Sequence, residues 1–587
     1  MLLTAELSAL ASAAFIAEGF DGAYGAVRIS DRPDLAQFQC NGALAAAKSA
    51  GKVPREVGEQ VAARLKAEPI FASVSVAGPG FINLTLTDAA LAARANRDLS
   101  GSRAGGWRTE MPETIIVDYG GPNIAKPLHV GHLRSAIIGE CVKRLLRAVG
   151  HTAIGDIHMG DWGLPMGQLI TELKRERPDL PYFDGAVNGP YQDRSPVTLD
   201  DLERLYPQAS AACKADPERA AEARLATAEL QAGRAGYRAL WRHFLNVSRA
   251  AIEREYEDLG VSFDWWKGEA DADPLIAPMV EKLRADGLTE IDDGAEIMRL
   301  VRPGDKKDLP PLILYKSDGA VMYGTTDLAT ILDRRETAHP DRIFYVVDGR
   351  QRDHFEQVFR AAGKAGLYPE DRLEHLWFGT MNGKDGKPFK TRAGGVLKLR
   401  ELIDMVDQKA AARIAETGLA EGYSAGESAA IARKVGVAAL KFADLSNPRT
   451  SDYIFDIDRF TAFEGKTGPY LLYASVRARS ILRKAATAGA GAPGAIGMAT
   501  PEERSLALML LHFAEAMKDA VDRRLPHFLC DHAFRLAQSF SSFYAACRIV
   551  DEPDPAVRAA RLGLVAAFGR QLDAILDILG MPAPERM

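Results

Sequence analysis

Residues 114–150 read TIIVDYGGPNIAKPLHVGHLRSAIIGECVKRLLRAVG, and this stretch decides the fold. Thr114 to Tyr119 is a short run of β-branched and aromatic residues, the composition of a strand. Gly120, Gly121 and Pro122 interrupt it. Beyond His129 apolar residues recur three and four positions apart, the spacing of a helix that buries one face. A buried strand feeding such a helix is the first half of a parallel crossover, because parallel neighbours need a long connection. The alternation recurs outward, in HTAIGDI from His151 and in RIFYVVD (342–348) followed by HFEQVFRAAGKAG (354–366). It predicts an α/β, doubly wound parallel sheet over residues 109–405, with both faces covered by helices. Pro-rich loops and polar helices break the pattern at about 172–255, as expected of an insertion over the sheet.

The flanks read differently. Residues 1–108 begin with an Ala-rich helical pattern. They continue into FASVSVAGPGFINLTL (71–86), two alternating runs around a Gly-Pro-Gly turn. This predicts a small N-terminal α/β or α+β domain, closed by the linker SGSRAGGWR (100–108). Residues 406–459 read as a helical connector and 460–587 as an α-helical domain. The last segment carries 15 Lys and Arg against 13 Asp and Glu, on a chain of net charge −6. It is therefore the less acidic end, the one suited to a polyanion. A chain of 587 residues, 47% hydrophobic and 26% charged, excludes disordered and fibrous classes. No stretch reads as a membrane span, and the N-terminus has no Lys or Arg before Arg28, unlike a signal peptide. Five scattered cysteines without a CxxC pair fit a reducing, cytoplasmic setting better than a disulfide framework or a zinc site.

The chemistry concentrates in PNIAKPLHVGHLRS (122–135). His129 and His132 can donate to phosphate oxygens. Gly131 removes a side chain where a base or ribose would approach, and the helix start adds partial positive charge. The pattern predicts an ATP site lined by Pro122, Asn123, His129, Gly131 and His132. A zinc site lacks a third ligand nearby. FEGKTGP (463–469) has Phe460 where the first glycine of a phosphate-binding P-loop belongs, and no GxGxxG follows a strand. A second loop, MNGKDGKPFKTRAGG (381–395), sets Lys384, Lys387, Lys390 and Arg392 among glycines. It suits either a charge clamp on a leaving pyrophosphate or a solvated turn.

These motifs together resemble the class I aminoacyl-tRNA synthetases, and most closely the bacterial arginyl-tRNA synthetase family, over nearly the whole chain. HVGH at 129–132 resembles the HIGH motif, and KPFK at 387–390 a degenerate KMSKS loop with Lys390 at its second lysine. FDWWKGE (263–269), YGTTDLA (323–329), YVVDGRQRDHF (345–355), GKTGPYLLYA (465–474) and the terminal PERM are similar to that family's patterns, in its order. The fold implied is a Rossmann-like core with an N-terminal tRNA-contacting domain and a C-terminal helical anticodon-binding domain.

The resemblance also implies residue roles. Glu269, Tyr323 and Asp327 would take the substrate guanidinium. Asp118, Asn123 and Gln351 would hold the α-amino and carboxylate end, with Asp348 and His354 beside them. His129, Gly131, His132, Lys126, Lys387 and Lys390 would form the catalytic set, Lys126 sharing the charge role of the degenerate loop. Phe38, Gln39 and Asn41, within ISDRPDLAQFQCNGA (29–43), with Tyr544 and Met587, would touch tRNA. ATP, Mg²⁺ accompanying it, L-arginine and tRNA(Arg) are the implied partners. No membrane and no protein-held metal are expected, and a monomer is. One departure stands out: glycines occupy 120 and 121, where the family more often has serine. Two rivals stay open at this point. One is a small-molecule nucleotidyltransferase using the same histidine motif, and the other a tRNA-binding paralogue without activity.

Overall fold

Strand β1 (Thr114–Tyr119) keeps Ile115, Ile116, Val117 and Tyr119 almost wholly from solvent, which requires cover on both faces of its sheet. In the computed structural model it has that cover. The structure describes residues 2–101, 103–305, 309–387, 397–419 and 421–587. Helix α1 (Val130–Ala148) returns the chain to β2 (Thr152–Met159), and the insertion then leads to β3 (Trp265–Gly268). Helix α2 (Glu269–Ala285) follows, then a three-stranded antiparallel sheet, then α3 (Tyr323–Ala338) and β4 (Arg342–Val346). Helix α4 (Arg352–Lys364) ends the crossover to β5 (Leu373–His375). The strand order is β5-β4-β1-β2-β3, and every pairing is parallel.

This order reverses direction at β1. The crossover from β1 runs one way along the sheet and the chain later comes back to β4 on its other side. In an open α/β sheet such a switch point leaves a crevice at the carboxyl ends of the two central strands. Ser135 of α1 pins those ends together: its hydroxyl donates to the Val346 carbonyl at 2.6 Å and accepts the Gly120 N–H at 2.8 Å.

The insertion carries helices Leu199–Ala215, Pro217–Gln231 and Ala235–Asp258 between β2 and β3. The chain divides into two compact units: residues 110–417 with 428–461, holding the parallel sheet, and residues 1–109 with 418–427 and 462–587. In the second unit the N-terminal segment is α+β. Its four strands are antiparallel, with Phe38–Cys40 between Val27–Ile29 and Phe81–Leu86, and Phe71–Ala77 at the far edge. The final 120 residues or so are helices that share its core: Leu511 joins the cluster of Phe38, Val61, Leu84 and Leu91. Asn96 seals the junction by exchanging two hydrogen bonds with the Ile496 backbone, at 2.9 and 2.7 Å. No helix among the described residues is long and apolar enough to cross a membrane.

Candidate active site

The crevice is built first by backbone. Gly120 has a φ of +71°, a region that disfavours side chains. A Cβ at Gly121 would stand 2.3 Å from the His158 carbonyl oxygen. Serine at either position therefore conflicts with this loop path. Pro122 is buried and Asn123 exposed; the chain on both sides of Asn123 pairs with Gly160, through Gly160 N–H to Pro122 O at 3.0 Å and Ile124 N–H to Gly160 O at 3.1 Å.

The two histidines cap α1 with their rings. His129 Nδ1 accepts the Gly131 N–H at 3.0 Å and His132 Nδ1 accepts the His129 N–H at 3.2 Å, a reciprocal capping box. Because each Nδ1 is an acceptor, each neutral ring carries its proton on Nε2. Burial pushes His132 down to about 3, and burial with Lys126 nearby lowers His129. Both rings are thus held neutral. Gly131 serves the caps directly: a Cβ there would meet His129 Cε1 at 2.6 Å, and the glycine itself remains exposed.

Cations border this turn. Lys126 Nζ lies 4.7 Å over the Tyr206 ring. Leu397 and Lys398 pair with the His129 segment, with Val130 N–H to Leu397 O at 3.1 Å and Leu399 N–H to Leu128 O at 2.9 Å. Lys387 is exposed, while Lys384 is occupied by Asp456 at 3.1 Å. Lys390 and Arg392 lie outside the described residues.

One stripe of α3 faces the other half of the crevice: Tyr323, Asp327 and Arg334 are four and seven apart. Tyr323 opens the helix and is 74% exposed. Asp327 is the fifth residue of the helix, so it is not its cap; its carboxylate receives His354 Nε2 at 2.6 Å. Glu269 opens α2. Burial raises its carboxyl; His158 and the Trp162 N–H oppose, and the Asp327 carboxylate adds to the rise. Among the described residues neither acid is in an ion pair with Arg or Lys. At the floor the sheet register sets Asp118 beside Asp156, and Arg334, wholly buried, bridges both, at 2.7 Å from Asp156. Asp118, expected at the amino-acid end, is thus already engaged by a protein guanidinium. Gln351 is exposed, and Asp348 pairs with Arg350 at 2.8 Å.

Sequence reasoning missed three of these groups. Asp156 and Arg334 form the floor, and Asp161 lies behind Glu269. Burial pushes Asp161 up to about 7, the Ala270 N–H opposing and Glu269 and Asp271 adding to the rise. An acid at the carboxyl end of a predicted strand was the available signal for Asp156. Arg334 gave none.

Family models match in three consecutive stretches: "tRNA synthetases class I (R), catalytic domain" over 97–457, "Arginyl tRNA synthetase N terminal domain" over 2–86, and "DALR anticodon binding domain" over 471–587. The chain belongs to the arginine–tRNA ligase family. The arginine–tRNA ligase of Hyphomonas neptunium is 53% identical over 587 residues, covering all of both chains. That of Maricaulis maris is 53% identical and covers 99% of each. The crystal structure of arginyl-tRNA synthetase from Plasmodium falciparum, 22% identical, shares the fold with a TM-score of 0.80 over 100% of this chain and 99% of its own. The chain is accordingly a ligase of the class I aminoacyl-tRNA synthetases, a class whose substrate is ATP.

In this synthetase the residues expected to touch tRNA lie in the unit without the parallel sheet. Phe38 corrects that expectation: its ring is fully buried, edge-on to His512 with ring centres 5.8 Å apart, and has no surface to offer. Gln39 is half-buried and donates to Asn83 Oδ1 at 3.0 Å. The Asn41 side chain caps no helix, and its Oδ1 is buried without a partner. Tyr544 is 44% exposed. Arg477, which the sequence did not suggest, reaches it and Tyr473, with ring centres 5.3 and 4.6 Å away. Met587 is half-buried at the end of a tail held by Arg479 on the Pro584 carbonyl at 3.0 Å.

Proposed function

We propose that the switch-point crevice binds ATP and L-arginine together, makes arginyl-adenylate, and passes the arginyl group to the 3′ end of tRNA(Arg). The observation that carries this reading is the acid pair Glu269 and Asp327. These are two carboxylates at the crevice that meet imidazoles, a backbone N–H and the neighbouring acid Asp161, and no Arg or Lys ion pair among the described residues. A guanidinium offers a planar fork of donors that serves two carboxylates at once, which a lysine ammonium does not. Tyr323, at the start of the same helix stripe, would cover the side chain.

The arginine carboxylate attacks the α-phosphorus in line. A new P–O bond forms as the bond to the β-phosphate oxygen breaks, and pyrophosphate leaves. Placement and charge stabilisation suffice, without a dedicated base. The Nε2–H groups of His129 and His132 donate to phosphate oxygens. Lys126, Lys387 and Lys390 neutralise the departing pyrophosphate. Asn123 and Gln351 approach the α-amino and carboxylate end, and Asp118 acts there with its charge shared by Arg334. Mg²⁺ brought with ATP would add positive charge at the phosphates. The terminal ribose hydroxyl of tRNA then attacks the carbonyl and AMP departs. In the other unit Gln39 and Asn41 offer hydrogen-bonding groups. Tyr544 and Met587, with Arg477 between Tyr473 and Tyr544, offer stacking and charge to unpaired bases. We read the enzyme as a cytoplasmic monomer.

The test is ATP–pyrophosphate exchange with each of the twenty amino acids, with and without tRNA. Arginine alone is expected to drive exchange, with tRNA increasing it. Exchange driven by another amino acid would remove the arginine pocket. Tight tRNA binding without any exchange would leave an inactive paralogue.

A further inference from the structure

One helix of the insertion touches both sides of the histidine turn. On Leu199–Ala215, Glu203 and Tyr206 are three residues apart and so share a face. Glu203 accepts an ion pair from Lys398 Nζ at 2.6 Å, and Tyr206 lies under Lys126 Nζ at 4.7 Å. Lys398 is not a chance neighbour of the site. It forms an antiparallel bridge with His129, which puts the two side chains on the same face of the pair. The adjacent hydrogen bonds, at 3.1 and 2.9 Å, fix that register. The Lys398 side chain remains 46% exposed. A second carboxylate, Glu255, stands within electrostatic reach of Lys398 and Glu203; its Oε2 is buried without a hydrogen-bond partner.

We propose that Lys398 is a further ATP-binding residue, a cation for the triphosphate beside His129, and that Glu203 of the insertion is its resting partner. The inference rests on the ATP site proposed above. A single half-exposed ion pair holds a lysine weakly. A triphosphate is a far stronger competitor, because several adjacent anionic oxygens meet one ammonium. The ammonium would leave Glu203 for the β- or γ-phosphate by rotation about its own four-carbon stem, without movement of the paired backbone. Lys126 would make the parallel exchange from the face of Tyr206.

The experiment is steady-state ATP–pyrophosphate exchange with tRNA present, varying ATP and arginine separately. Lys398→Ala is expected to raise KM for ATP, or lower kcat, by about tenfold or more, with KM for arginine unchanged and Lys398→Arg recovering most of the loss. Glu203→Gln frees the lysine and is expected to lower KM for ATP several-fold. If Lys398→Ala proves unstable on heating, Glu203→Gln carries the test alone. Unchanged ATP parameters in Glu203→Gln and in folded Lys398→Ala overturn the inference. So does a higher KM for ATP in Glu203→Gln, which would make Glu203 a support. Wild-type enzyme without arginine-dependent exchange would instead remove the reading on which the inference stands.

Discussion

The crevice holds two pairs of acids, and they are treated in opposite ways. At the floor the parallel register of β1 and β2 places Asp118 beside Asp156, an arrangement that repels unless a cation intervenes. The protein supplies one, Arg334, from the inner end of the α3 stripe. Glu269 and Asp327 meet no arginine or lysine among the described residues; Asp327 has only His354. The same helix thus satisfies one acid pair with its own guanidinium and presents an acid of the other to the crevice. A buried acid pair with an internal counter-ion is architecture, and one without an Arg or Lys partner among the described residues is what the proposed arginine pocket rests on.

Breaking the floor should have the largest effect. Arg334→Met leaves two buried carboxylates uncompensated and is expected to cost about 3–5 kcal/mol of stability, read by urea unfolding. A variant as stable as wild type would erase the distinction drawn here. At the rim the cost should fall on binding. Asp327→Asn or Glu269→Gln is expected to raise KM for arginine by roughly a hundredfold, about 2–3 kcal/mol, with KM for ATP and the urea midpoint nearly unchanged. If stability fell instead and arginine binding held, the rim pair would be architecture too.

The backbone between the pairs gives a third test. Gly121→Ser drives a Cβ against the His158 carbonyl and should cost about 1–3 kcal/mol of stability. A neutral substitution there would mean that the loop has another path.

The smallest effect is a pH dependence. Asp327 raises the His354 pKa above its ordinary 6.5. That pairing therefore stabilises the free enzyme fully below pH 6.5, and the contribution is lost as pH rises through the raised folded value. It should disappear in Asp327→Asn. In the proposed pocket arginine would compete with His354 for the same carboxylate, so KM for arginine should fall as pH rises through that titration. A flat profile would separate His354 from the substrate.

Legibility from sequence followed the range of the interactions. The strand, the glycine break and the histidine turn lie within 40 residues and were readable, because each signal is local spacing. Asp327 and Glu269 were readable only through resemblance; taken alone, Asp327 also reads as a helix cap and Glu269 as a surface acid. Arg334 was not readable at all: an arginine in mid-helix reads as solvated, and its partners Asp118 and Asp156 lie 216 and 178 residues away. Phe38 was misread for the same reason. The resemblance placed it against tRNA, while its ring packs on His512 from the far end of the chain.

What the sequence by itself determined, then, is the class of sheet, the place of the phosphate turn and the family's order of motifs, all carried by residues near one another along the chain. The tertiary structure alone settled which acids are neutralised by an arginine within the protein and which have no Arg or Lys partner among the described residues. It also settled which nitrogens of the two histidines accept backbone N–H groups, and which lysines a distant insertion helix holds. Charge pairing and proton placement depend on distances of a few ångströms between segments hundreds of residues apart, and spacing along the chain does not record such distances.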